Sequence, residues 1–170
     1  MPGASKKIAF EPVSAMLAAF DTSQQMNELL LENVAPEVWR VDPPQPAAAK
    51  KKQGRTIAAI AAHMHNVRLM WLKAVKVPKL PEKLDPDKVT VAQAIKGHRE
   101  SHAALRSVLE NALRGDGRVP HFPPDAARFH AYLVAHDAHH RGQISMLARF
   151  AGYPISQPTM FGLWEWNRKK

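Results

Sequence analysis

The stretch FHAYLVAHDAHHRGQISMLARF, residues 129–150, carries the pattern that decides the fold. Its apolar residues recur every three or four positions, which predicts a long amphipathic helix rather than a strand. Two positions on the apolar stripe hold His136 and His140, where a leucine would be usual. Because residues four apart project from the same side of a helix, the segment predicts a pair of imidazoles that faces the interior. The stripe comprises Phe129, Leu133, His136, His140, Ile144 and Leu147.

Three further segments show the same amphipathic spacing, and proline-rich and glycine-rich stretches separate them. Thr90 and Gln93 have the spacing of a capping box, which marks the start of the third helix. Four long amphipathic helices without an alternating strand pattern predict an all-α fold, a four-helix bundle with long proline-rich loops. The expected helices run from about Pro12 to Val34, from Thr56 to before Pro78, from Thr90 to Gly115 and from Asp125 to Gly152.

The length of 170 residues suits one domain and is short for two. We therefore expect a single four-helix-bundle domain over residues 1–170, with residues 1–11 and 153–170 as terminal extensions. The second extension is expected to be an irregular aromatic tail.

The distribution of charge argues against a nucleic-acid reader. The formal net charge is +9, but 8 of the 24 lysines and arginines lie in a terminus, a predicted loop and the tail. The other 16 basic residues are balanced by 15 acidic ones, and no basic stripe with interleaved aromatics follows a helix. We therefore expect the clustered basic residues to increase solubility. A nucleic-acid-binding bundle ranks last among the functions considered. The clustered residues are Lys6, Lys7, Lys50 to Lys52 and Arg168 to Lys170.

Cysteine is absent, which excludes disulfides, thiolate metal ligands and a cysteine nucleophile. Histidine must then supply any soft metal ligand. No run approaches the roughly 18 uninterrupted apolar residues of a membrane span, and the N-terminus lacks a long apolar core with a cleavage site. The simplest expectation is a cytoplasmic protein without a membrane partner.

The segment TIAAIAAHMHNVRLMWL, residues 56–72, supplies a third inward imidazole. At about 100° per residue, His63 lies about 60° from the middle of the apolar arc, whereas His65 lies about 140° away. A histidine from one helix and an HxxxH pair from another can close a three-nitrogen metal site. The predicted metal ligands are therefore His63, His136 and His140.

The other histidines are sorted by the same criterion. His98 and His102 form a rival pair, because both fall on the apolar stripe of the third helix. His121 and His130 are predicted to lie at the surface, and His139 is borderline. A lone inward histidine is most simply a hydrogen-bonded core residue, but three in compatible positions favour a shared ligand.

Polar residues of all four helices are expected at about one level of the bundle, if neighbouring helices alternate in direction. A buried polar group without a partner costs about 1 to 3 kcal/mol, so such a layer requires a ligand or water. Some of these residues are candidates for hydrogen bonds to the ligand rings, for a further ligand or for a substrate contact. They are Gln24, Asn27, His98, His102, Asp137 and His139.

Four weaker features give expectations of their own. Asp137 and Arg141 are spaced four apart, and with Arg141 pointing outward they predict a surface ion pair. Gly142 within a helix predicts a close approach by another helix or a second subunit. The aromatic residues of the tail are expected to pack on the flank of the bundle, with a lid over its mouth as the alternative. They are Phe161, Trp164 and Trp166.

The segments IAAHMHNVRLMWL, HDAHHRGQISMLARFAGYP and FGLWEWNRK closely resemble the DinB-like family of damage-inducible four-helix metalloproteins. The resemblance extends over essentially the whole chain in helix order. The family pattern of one histidine on the second helix and HxxxH on the fourth matches His63, His136 and His140. The additional inward His98 and His102 depart from that pattern.

The resemblance implies a bound divalent metal, zinc or nickel first and iron or manganese next, and often a homodimer. Related families include thiol-dependent transferases and maleylpyruvate isomerases. Three neutral ligands would leave open positions on the ion, so a bound water or a low-molecular-weight thiolate could serve as nucleophile. A metal-dependent S-transferase or hydrolase is therefore expected, with thiol transfer slightly ahead on the resemblance and a non-catalytic metal- or ligand-binding bundle as the alternative.

Overall fold

Five α-helices and a short 3₁₀ helix make up the regular structure of this computed structural model, which describes residues 9–45, 48, 54–123 and 125–166. No strand occurs within those ranges, and the all-α prediction is confirmed. The basic residues at 6–7, 50–52 and 168–170 lie outside the described residues. The helices are α1 Pro12–Glu32, α2 Ile57–Ala74, α3 Val91–Arg114, α4 Ala126–Phe150 and α5 Gln157–Gly162, and the 3₁₀ helix is Pro36–Val38.

Side-chain caps set the starts of α2, α3 and α4. The Thr56 hydroxyl accepts a hydrogen bond from the backbone N–H of Ala59 at the start of α2. Thr90 and Gln93 form the predicted capping box at the start of α3. The Asp125 side chain caps α4 in the same way as Thr56 caps α2. Each cap satisfies amide groups that a first helical turn leaves without partners.

Two hydrophobic clusters fill the bundle and reveal the directions of its helices. One cluster joins the C-terminal halves of α1 and α4 to the N-terminal halves of α2 and α3, and the other joins the opposite halves. Helices α1 and α4 therefore run one way, and α2 and α3 run the other way. The assumption of alternating directions is wrong for α2 and α3, because the long connection between them returns the chain to the same end.

A layer of buried polar residues separates the two clusters. The polar residues lie near the middle of each helix. Reversing the direction of a helix therefore moves them very little along the bundle axis. The predicted polar layer is therefore present although the predicted directions are not. Its members include Ser23, Gln24, Asn27, Arg68, His98, Ser101, His102 and Asp137.

The C-terminal tail differs from its prediction in two ways. It contains α5, which Ser156 caps and which has a proline in its first turn. The helix packs against α1 and buries Thr159 and Gly162. Because these small residues make the contact, the aromatic side chains of Phe161 and Trp164 stay exposed, as does Trp166, and the expected packing of all three is wrong.

Candidate metal centre

Three imidazoles from two helices meet beside the polar layer. His63 comes from α2, and His136 and His140 come from successive turns of α4. One ring nitrogen of each lies within 4.8 Å of the corresponding nitrogen of the other two. The Nε2 atoms of His136 and His140 are 3.1 Å apart. The rings meet because α2 packs against α4 and the spacing of four residues stacks two of them on one face.

A neighbouring glutamine determines which nitrogen of His140 carries the proton. The Oε1 atom of Gln143 lies 2.7 Å from Nδ1 of His140. An amide oxygen only accepts hydrogen bonds, so Nδ1 donates its hydrogen and Nε2 keeps a free lone pair. That lone pair belongs to the nitrogen nearest His136. Gln143 was not among the residues predicted for the site, although its spacing of three from His140 puts the two side chains on one helix face.

The three rings are neutral at neutral pH. The pKa of His136 is lowered to about 4, mainly by burial and next by the nearby His140 ring. Burial is also the main reason that the pKa of His63 lies below its usual value, followed by the charge of Arg55. The pKa of His140 is lowered mainly by burial, against the opposing effect of the Gln143 hydrogen bond. Neutral imidazoles offer lone pairs, as metal coordination requires.

These observations fit a divalent metal ion. The three histidines could hold one ion, and they are the grouping of potential ligands found among the described residues. Three neutral nitrogen donors are the set seen in catalytic zinc sites that keep a position open. His63 and His136 are only partly buried, so the cluster has access to solvent. Metal binding by these three histidines stays a prediction.

The other candidate residues form no hydrogen bonds to the three rings within the described part of the chain. The Gln24 side chain is bonded to Arg68 and Glu28, and Asn27 donates to Asp137. His139 is exposed, and its ring lies 5.0 Å from that of His140.

The rival pair on α3 points to other partners. The Nε2 atom of His98 donates to the carbonyl oxygen of Ala61 at 2.8 Å, and His102 Nε2 lies 2.8 Å from the carboxylate of Asp21. Both histidines are buried, as the apolar stripe of α3 predicts. The grouping of potential ligands does not include either of them.

His65, placed away from the apolar arc of α2, and His130, predicted at the surface, are not exposed. His65 is completely buried, and its ring nitrogens lie 2.8 Å from the carbonyl oxygens of Gly97 and Glu82. Its side of α2 is covered by α3 and by the connection that precedes α3. His130 is half-buried with its ring edge toward Phe20, 6.3 Å between centroids.

The expected surface ion pair between Asp137 and Arg141 is also wrong. Asp137 is buried, and Arg141 turns inward to donate to Asn27 and Ser23 on α1. The reason is that α1 covers this side of α4. A close approach of another helix at Gly142 is wrong as well, because an added Cβ would meet no described atom within 4 Å beyond its chain neighbours and the backbone of α4.

Arg68 is the residue of the polar layer that the sequence analysis missed. Its guanidinium is 1% exposed and donates to Asp137, to Gln24 and to the carbonyl oxygen of His98. The sequence pattern did indicate an inward position for Arg68, because it falls on the same stripe of α2 as Met64 and Leu72.

Fold and cluster together define a helical bundle with a three-histidine group able to hold a metal ion. The family model for the DinB superfamily matches residues 19–144. The chain belongs to the DinB superfamily, and the resemblance seen in the sequence is confirmed. Comparisons with curated proteins and with solved structures gave no match. None of the described helices is long and apolar enough to cross a membrane.

Proposed function

We propose that this protein is a divalent-metal-dependent enzyme of the thiol-dependent S-transferase or hydrolase type. His63, His136 and His140 hold the ion. One observation carries the proposal: three neutral ring nitrogens from two helices lie within 4.8 Å of one another. Three neutral protein ligands are typical of a catalytic metal site rather than a structural one. Zinc or nickel is the preferred metal on the family resemblance, ahead of iron and manganese.

A divalent ion bound there would supply a Lewis acid that lowers the pKa of a water molecule or a small thiol. The protein's own residues prepare the site. Gln143 holds the proton of His140 on Nδ1, and burial keeps all three rings unprotonated near neutral pH. The partly exposed His63 leaves a route by which a substrate reaches the cluster.

Metal analysis of the purified full chain tests the proposal. We expect one ion per chain, and we expect each of His63→Ala, His136→Ala and His140→Ala to lose it. His121→Ala is the matched control, because His121 is exposed in a turn outside the cluster. Failure of the wild-type protein to bind zinc, nickel, iron or manganese would overturn the proposal, and so would equal loss of metal in His121→Ala.

Activity assays then separate an enzyme from a non-catalytic metal-binding bundle. Metal-loaded protein is tested for transfer of a small thiol to electrophilic acceptors and for hydrolysis of ester and amide panels. We expect turnover in one assay, lost on chelation and in the three alanine variants. Full metal binding without turnover in either assay would favour the non-catalytic alternative.

A further inference from the structure

Two cavities near the α2 end of the histidine cluster share Gly54 and Arg55 in their walls. The first has a volume of about 510 Å³, and its walls are mainly apolar. The second has a volume of about 530 Å³ and includes His63 in its wall. Volumes of this size are typical of sites for small molecules. The apolar wall of the first cavity consists of Pro43, Ile60, Met146, Leu147 and Phe150.

The Gln143 side chain connects the first cavity with the histidine cluster. Gln143 lines this cavity, and the same side chain accepts the hydrogen bond from His140. Arg55 lines this cavity and the one that contains His63. The Arg55 guanidinium therefore lies between the apolar first cavity and the cavity that contains the proposed metal ligand His63.

Arg55 is available to a ligand. None of the ion pairs formed between described residues involves it. The described wall of the first cavity contains no carboxylate, and Asp87 in the wall of the second forms no ion pair with Arg55. A guanidinium presents a planar pair of donors that matches the two oxygens of a carboxylate.

Gly54 fixes the position of Arg55. Its φ of +79° is a conformation that side chains with a Cβ rarely adopt, and a Cβ there would lie 2.8 Å from Cγ of Pro43. The backbone can therefore turn tightly under Pro43 just before α2 begins. This turn places the Arg55 side chain one residue before the helix cap at Thr56.

We propose that this region is the substrate site and that it takes a small carboxylate with an apolar body. The carboxylate pairs with Arg55, and the apolar body lies against Ile60, Met146 and Phe150. The carboxylate end of the ligand then lies on the side of the histidine cluster, because Arg55 also lines the cavity that contains His63. The role as a substrate site rests on the proposed function, whereas the binding of a carboxylate rests on Arg55 and the cavity alone.

Octanoate and its neutral counterpart octanamide are suitable probes. Their dissociation constants are measured by calorimetry with the full chain, once after chelation and once loaded with zinc. In the metal-free protein we expect octanoate to bind about two- to fivefold more tightly than octanamide, as for an ion pair at an arginine exposed to solvent. Arg55→Gln should abolish most of that difference. Arg118→Gln, an exposed arginine in the turn before α4, should retain it.

A second pair of variants tests the apolar wall. Phe150 lines the cavity and Phe161 does not, yet both side chains are 63% exposed. Phe150→Ser should weaken the binding of both probes about fivefold, as expected for lost apolar contact. Phe161→Ser should leave both unchanged. Equal effects of the two serine variants would overturn the proposal.

The outcomes distinguish this inference from the proposed function. If the metal-free protein discriminates between the probes through Arg55 but metal analysis finds no ion, the carboxylate site stands and the proposed function falls. If the histidines bind metal but Arg55→Gln affects the probes no more than Arg118→Gln does, the inference falls and the proposed function stands. No detectable binding of octanoate to either form of the protein overturns the inference as well.

Discussion

The guanidinium of Arg68 donates to the carboxylate of Asp137 at 2.7 Å, and both residues are only 1% exposed. The pair joins α2 to α4 between the two hydrophobic clusters. Burial alone would raise the pKa of Asp137, but the charge of Arg68 and the hydrogen bond from Asn27 hold it below its usual value. Asp137 is therefore ionised and adjacent in sequence to His136. The pair fixes the turn of α4 that carries the ligand histidines.

Removing one member of this pair should destabilise the protein strongly. We expect Arg68→Met to lower the free energy of unfolding by about 3 to 5 kcal/mol, because it leaves an uncompensated buried carboxylate. Chemical denaturation of the metal-free protein measures the loss. The double variant Arg68→Met with Asp137→Leu should lose less than Arg68→Met alone, since no charge is left without a partner. A double variant whose loss equals the sum of the two single losses would show that the residues act independently.

Gln143 should control metal affinity without being a ligand. Gln143→Leu removes the acceptor that orients His140, and outer hydrogen-bond partners of this kind typically contribute about 10- to 100-fold to metal affinity. Gln143→Glu keeps an acceptor at the same position and should retain tight binding. Competition with a chromogenic chelator measures both. Equal affinity of the leucine variant and the wild-type protein would show that the hydrogen bond has no such role.

The sequence was sufficient for the features that one helix determines by itself. The apolar periodicity and the Thr90–Gln93 capping box located the helices to within about two residues at most ends. The inward faces of α2 and α4 selected His63, His136 and His140, which the structure brings together. The residues that face inward depend only on spacing within one helix. They were therefore predicted correctly although the helix directions were not.

Features that depend on contacts between helices were missed. An arginine on an apolar stripe usually extends its head group to solvent, and only the position of Asp137 on another helix explains why Arg68 does not. His65 looked peripheral because its partners belong to α3 and to the connection before α3. Spacing within α2 contains no information on which side of the helix those segments cover.

His98 should make the stability of the protein depend on pH. Burial lowers its pKa to about 4 from a usual value of 6.5. A histidine with a depressed pKa in the folded state contributes its full stability above pH 6.5 and loses it as the pH falls toward 4. The contribution is about 3 to 4 kcal/mol, from about 1.4 kcal/mol per pKa unit.

His98→Gln tests this contribution, since glutamine keeps a donor for the carbonyl oxygen of Ala61 but does not titrate. We expect the unfolding free energy of the metal-free variant to fall less steeply between pH 6.5 and 4.5 than that of the wild-type protein. Denaturant titrations across this range give both curves. Parallel curves would mean that His98 is protonated equally in the folded and unfolded states.

Two glycines in helices should respond in opposite ways to replacement by alanine. At Gly97 a Cβ would lie 3.1 Å from Leu84 and 3.2 Å from Nδ1 of His65, whose ring is held between the Ser101 hydroxyl and the carbonyl oxygen of Glu82. Overpacking of this kind costs about 1 to 3 kcal/mol, which should outweigh the gain in helix propensity. Gly97→Ala is therefore expected to lower the melting temperature.

At Gly142 the surroundings within this chain are open, so alanine should raise the free energy of unfolding by up to about 1 kcal/mol through helix propensity alone. The same variant tests the expected homodimer, because a second subunit seated on Gly142 would be pushed away by the new methyl group. Thermal unfolding and analytical ultracentrifugation of wild type and variant separate the two cases. A more stable protein in an unchanged oligomeric state would exclude a tight subunit contact at Gly142, whereas a dimer that dissociates on substitution would place the interface on this face of α4.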